Sequence, residues 1–215
     1  MSKSKQITDI QEQKRRKGRS SIYLDEEFWT GMPSELVVEL HLKIGQSLTA
    51  EQQNDIEQQI SEEAAFGAAT NLLSYRDRST SELERRLLDK GFGDNVVKQT
   101  VNRMLEYGYL DDERFAKDLA QVQIERGKGR RAAQSALYKA GLPQELIEQA
   151  IDSVYNNEQS ETEAAVLWLS RKPLPQTPAD RQRLLRNLAG RGFGFDIAKE
   201  AIRQWEAEQI DAEGD

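Results

Sequence analysis

Residues 81–105 read SELERRLLDKGFGDNVVKQTVNRML, and the pattern in this stretch decides the architecture. Leu83 and Leu87 stand four apart, and Val97, Val101 and Met104 keep the same period beyond the glycine. That spacing lines one face of a helix. Gly91 separates the two runs, where a helix ending in the left-handed region favours a residue without a Cβ. Phe92, just behind, is placed to pack back on the helix that ends there. The stretch predicts two helices joined by a tight glycine turn.

The same pattern occurs twice more, in RAAQSALYKAGLPQELIEQAIDSVY (131–155) and RQRLLRNLAGRGFGFDIAKEAIRQW (181–205). The turn glycines become Gly141 and Gly192, at spacings of 50 and 51 residues. Leu83, Ala133 and Leu184 correspond, as do Leu87, Leu137 and Leu188. After the glycine, Val97, Ile147 and Ala198 match, then Val101, Ile151 and Ile202, then Met104, Val154 and Trp205. A further helix precedes each pair, carrying Ala65, Ala69 and Leu72 in the first unit, Phe115, Leu119 and Val122 in the second, and Ala164, Leu167 and Trp168 in the third. Ser79 with Glu82, and Ser160 with Glu163, have the spacing of a capping box and predict helix starts there. Asp94 is the expected N-cap in the first unit, and Pro143 stands at the first turn in the second.

The chain therefore reads as mainly α. Three tandem three-helix repeats are expected over 62–110, 111–157 and 158–208, followed by an acidic tail over 209–215. Units of this size bury their faces partly against neighbours, so an elongated solenoid is expected. Residues 1–61 differ and read as a small accessory module. Ile22 to Leu24 suggest a strand that pairs across RRKGR with a weaker one at Ile7 to Ile10. A short helix follows from Ser34 to about Leu42, with His41 at its end, and Thr49 with Gln52 opens a helix running toward Tyr75.

Composition narrows the function. Of 215 residues 37% are apolar and 31% charged, there is no cysteine, and His41 is the single histidine. A thiolate nucleophile, a disulfide scaffold and a histidine metal cluster are excluded. No metal or cofactor is expected, and neither is a membrane-spanning helix. The net charge of −7 disfavours nonspecific adhesion to nucleic acid. It is uneven, however: Lys3, Lys5, Lys14, Arg15, Arg16, Lys17 and Arg19 outweigh Asp9 and Glu12 near the start, whereas acids dominate after residue 196.

Between the first two repeats the chain reads GYLDDERFA (108–116) and then ERGKGRR (125–131). Together with LLSYRDRSTSELERRLLDKGF before them and ALYKAGL after, these motifs resemble the RecX family of bacterial recombination regulators. The resemblance covers residues 64–155 most closely and the third unit more loosely. It implies a non-enzymatic protein that binds RecA and the RecA–DNA filament, while composition suggests the cytoplasm and the repeat pattern a monomer. Such a protein limits filament extension, ATP hydrolysis and strand exchange, and so regulates DNA repair and recombination. A stand-alone DNA-binding protein with helix-turn-helix-like repeats is the alternative.

Two basic clusters supply the candidate partner-binding residues: Arg126, Lys128, Arg130 and Arg131 in the loop, and Arg76, Arg85 and Arg86, with Arg78 among them, at the first repeat; Arg114 in GYLDDERFA is a further one. The loop, opened by Gly127 and Gly129, suits phosphates or acidic side chains, or is an ordinary solvated connection. Its cations are expected to be largely solvated. Glu82 and Arg86 are spaced as a surface i,i+4 pair. Asp111 and Asp112 fit a helix start better than carboxylate chemistry. Tyr107, Tyr109, Leu110 and Phe115 are expected to form a packed joint, and Gly91, Gly141 and Gly192 to be structural.

Overall fold

A computed structural model describes residues 4–155 and 158–213, with the side chains of Glu158 and of 210–213 left aside. Four strands and ten helices are assigned among these residues. They form two compact units, one made of 1–72 with 86–103 and the other of 73–85 with 104–215.

The first unit opens with β1 (Lys5–Glu12), β2 (Arg19–Leu24), β3 (Glu27–Pro33) and β4 (Ser47–Leu48), antiparallel in the order β3-β2-β1-β4. The expected hairpin is the β1–β2 pair, with Ile10 opposite Ile22. Two further strands flank it. On β2 the buried positions alternate, Ser20, Ile22 and Leu24, as a sheet with one covered face requires. The β2–β3 turn is made by Asp25 and Glu26, both at positive φ (49° and 69°), the conformation of a two-residue hairpin turn. α1 (Ser34–Glu39) and the start of α2 (Ala50–Tyr75) cover the sheet and close a core of Ile7, Ile22, Leu24, Met32, Leu36 and Ile56. His41 follows α1 in the left-handed region (φ 53°), its Nδ1 2.7 Å from the Val38 carbonyl.

Thr49 and Gln52 cap α2 reciprocally: the Gln52 amide donates to the Thr49 hydroxyl and the Thr49 amide to the Gln52 side chain. The expected division at residue 61 falls inside this helix. The unit also holds the end of α3 (Thr80–Asp89) and most of α4 (Asp94–Glu106). α4 begins at Asp94 itself, with Val97 bonding back to the Gly93 carbonyl, so Asp94 is a first-turn residue rather than the N-cap. Arg103 pairs with Glu63 at 2.5 Å and lies 3.9 Å over the Phe66 ring.

In the second unit, α5 (Asp112–Glu125), α6 (Arg130–Lys139) and α7 (Gln144–Val154) enclose one core. α8 (Glu158–Leu169), α9 (Pro178–Gly190) and α10 (Phe195–Glu213) enclose another. Ile124 packs against both. The fully covered positions of α5 are Ala116 and Ala120, while Phe115, Leu119 and Val122 are half-buried at the edge of that face. α8 starts two residues before the expected Ser160. α10 continues through Glu213, so helix runs into the expected acidic tail, whose last two residues lie outside the described ones. Gly91, Gly141 and Gly192 all follow a helix at positive φ (90°, 77° and 92°), as the repeat requires.

The second unit has a recurring joint. The turn after α6 seats on the start of α3: the Ser79 hydroxyl donates to the Ala140 carbonyl, and a Cβ on Gly141 would lie 2.8 Å from Ser81 Cβ. The turn after α9 seats on the start of α6 in the same way, where a Cβ on Gly192 would lie 2.7 Å from Ala132 Cβ. The start of α9 is closed differently. Thr177 and Asp180 form a reciprocal capping box, with Pro178 in the first turn.

Candidate partner-binding site

The α5–α6 loop is not an open connection. α5 ends at Glu125 with Arg126 as its C-cap, Gly127 follows at φ 62°, and both loop glycines are buried. A Cβ on Gly127 would lie 2.9 Å from Trp168 Cβ, and one on Gly129 only 2.5 Å from the Phe193 amide nitrogen. The glycines therefore admit close neighbours rather than expose the backbone. The Gly129 amide donates to the Arg191 carbonyl (3.0 Å), Arg131 to that of Gly192 (3.2 Å), and Arg130 to the Glu161 carboxylate (3.0 Å). Glu161 already occupies the positive end of α6, so these amides do not form a phosphate cradle.

Arg191 grips the loop from the other side. Its Nη1 donates to the carbonyls of Arg126 (3.2 Å) and Gly127 (3.0 Å), and its guanidinium lies 4.7 Å from the Trp168 ring centre. Lys172 Nζ lies 4.9 Å from the same centre. Sequence pattern carries no sign of Arg191, because its partners are backbone carbonyls some 65 residues away.

Arg130 departs from the expected solvation. Its Nη2 pairs with Asp152, its Nη1 donates to the Tyr155 carbonyl at 3.0 Å, and its side chain is 38% exposed. Arg181, the equivalent residue of the next repeat, grips α10 through a two-pronged pair with Glu206 at 3.0 and 2.5 Å. Arg130 is thus a clamp within its repeat. The match with Arg181 is legible in the repeat alignment, so the signal was present. Lys128 is half-buried and its carbonyl accepts from the Tyr155 hydroxyl at 2.8 Å. Burial, reinforced by the Glu161 charge, pushes that phenol well above its usual range. Arg126 and Arg131 remain exposed.

The second cluster is also partly committed. Glu82 is buried rather than superficial, and its carboxylate receives Arg76 (2.5 Å) and Arg78. Burial alone would raise its pKa, but the hydrogen bonds and charges of Arg76 and Arg78 outweigh that and hold it below the usual carboxylate value. The Glu82 amide meanwhile donates to the Ser79 hydroxyl (3.1 Å). Asp112 accepts from the Thr80 amide (2.8 Å), and Asp111 caps α5 through the Arg114 amide (2.9 Å). Arg85, Arg86 and Arg114 are exposed. Of the expected aromatic joint, only Leu110 is fully buried. Tyr107 and Tyr109 are 58% and 52% exposed and meet edge to face, centroids 6.4 Å apart.

Three family models match the chain in order: the regulatory protein RecX N-terminal domain over residues 5–49, the RecX first three-helix domain over 65–104, and the second over 111–151. The chain belongs to the RecX family. RecX is a regulatory family, not a family of enzymes. Regulatory protein RecX of Bacillus licheniformis is 30% identical over 95% of this chain and 79% of its own length. The Clostridioides difficile relative is 26% identical over 92% of this chain and 94% of its own length. The fold matches a crystal structure of regulatory protein RecX with a TM-score of 0.66 at 22% identity, over 91% of this chain and 97% of that one. A RecX structure from Lactobacillus salivarius gives 0.60 at 20% identity, over 68% and 97%. Among the described residues no helix is long and apolar enough to cross a membrane, and no group of three or more His, Cys, Asp or Glu is placed to hold a metal.

Proposed function

We propose that this chain binds RecA and the RecA–DNA filament in the cytoplasm, as a monomer and without catalysis of its own. Binding limits filament extension, ATP hydrolysis and strand exchange, and so regulates DNA repair and recombination. The observation that carries the reading is the α5–α6 loop of a RecX-family chain. Its backbone groups are bonded internally, while the side chains of Arg126 and Arg131 stand free of the core. Fixed cations of this kind suit carboxylates on a protein partner. Arg85, Arg86 and Arg114 are further exposed cations for that contact.

A net charge of −7, and loop amides already occupied by Glu161 and by the Arg191 and Gly192 carbonyls, favour a protein partner over naked DNA, with DNA backbone contact as a minor addition. The test is a titration into cognate RecA on single-stranded DNA. Sub-stoichiometric protein is expected to slow ATP hydrolysis and shorten filaments in electron micrographs. Unchanged hydrolysis and filament length at equimolar protein overturns the reading. Salt-dependent binding to naked DNA tighter than to RecA–DNA would favour the stand-alone DNA binder instead.

A further inference from the structure

The third repeat holds the backbone of the basic loop at several points, beside the Tyr155 hydroxyl that bonds the Lys128 carbonyl from within the second repeat. Trp168 fills the space that a side chain at Gly127 would need, and the Gly192–Phe193 backbone fills the space at Gly129. Amides of Gly129 and Arg131 end on carbonyls of the α9–α10 turn. Arg191 closes the ring, donating to the two carbonyls, of Arg126 and Gly127, that the end of α5 leaves without helical partners. None of these contacts uses a loop cation. The side chains of Arg126 and Arg131 are left outward by a backbone that a different repeat holds in place.

We propose that Arg191 is a positioning residue for partner binding, and that the third repeat serves to hold the basic loop in its binding shape. The inference rests on the reading of that loop as the RecA-facing element. A loop freed from Arg191 keeps all four cations but must be ordered at the moment of binding, and that cost weakens the complex. The third repeat then tunes affinity without touching the partner.

The experiment compares full-length Arg191→Met, Arg191→Lys and Arg126→Glu/Arg131→Glu with the parent chain. Arg191→Met removes the donors and the charge but keeps a long side chain. It is expected to raise amide exchange at Gly129 and Arg131, to speed tryptic cleavage within 126–131, and to weaken binding to RecA on single-stranded DNA about tenfold. Arg191→Lys, which keeps a cation with three donors, should recover much of both losses. Weaker binding with unchanged exchange and cleavage means direct contact and overturns the inference. So does a loosened loop that binds as before, provided the Arg126→Glu/Arg131→Glu variant binds weakly. If that double variant binds normally, the loop reading itself is overturned. Should Arg191→Met fail to fold, Gly127→Ala, which presses on Trp168, is measured by the same readouts and judged by the same outcomes.

Discussion

The buried hydroxyl of Ser79 donates to the backbone carbonyl of Ala140, 61 residues further along the chain. The same hydroxyl accepts the Glu82 amide, so one side chain both caps α3 and receives the next repeat. Ser79→Ala would leave the carbonyl and the amide without their partner. The expected loss is about 1–3 kcal/mol of unfolding free energy, read by urea denaturation. A loss below a few tenths would mean that water replaces the hydroxyl.

The turn glycines should separate by what surrounds them. Gly91→Ala meets open space and carries only the left-handed backbone penalty, about 1–2 kcal/mol. Gly192→Ala adds a collision with the Ala132 backbone and should cost more. Gly129→Ala is the cleanest case: its φ of −82° suits any residue, so its whole cost comes from the Phe193 and Gly192 backbone. Thermal unfolding should rank Gly192→Ala and Gly129→Ala well below Gly91→Ala in melting temperature.

Neighbouring arginines should behave oppositely. Arg130→Ala is expected to destabilise by about 1 kcal/mol, since its clamp is partly solvated, and to leave affinity for RecA–DNA almost unchanged. Arg126→Glu/Arg131→Glu should leave melting within a degree or two and weaken binding about tenfold. Calorimetry and a filament-binding assay on both variants decide the assignment.

Acid should reveal the Glu82 network. Because its folded-state pKa is depressed, its stabilisation is complete above the ordinary value of 4.5 and is lost as pH falls below that through the depressed value. In Glu82→Gln, the part of the acid-induced stability loss that falls below pH 4.5 should shrink. An unchanged pH profile in that variant would assign the acid sensitivity to other carboxylates.

Periodicity made the helices and the three turn glycines legible, because a helix face and a left-handed turn each demand a residue type at a fixed spacing. Strands β3 and β4 escaped: the β2–β3 turn uses Asp25 and Glu26 where glycine or asparagine is the usual signal, and β4 is two residues long. Basic clusters were legible as composition, but their commitments were not. Arg76 and Arg78 answer a buried carboxylate, and Arg130 answers Asp152 across 22 residues. Tyr107 and Tyr109 looked like core by residue type, yet their place after α4, on either side of Gly108 at φ 70°, turns them outward.

The seating of the Gly141 and Gly192 turns on earlier helix starts also sets an order of events during synthesis. Ser79 leaves the ribosome well before Ala140 exists, and at ~5–20 residues per second the wait is about 3–12 s. Over that interval a hydroxyl destined for the interior faces water. Gly129 waits in the same way for Arg191. Of the three repeat starts α3, α6 and α9, it is α9 that begins with a reciprocal cap of its own, from Thr177 and Asp180, rather than with a turn translated far behind it. The repeats therefore mature in order, each completing the one made before it, and the series stops at α9, whose start seals itself.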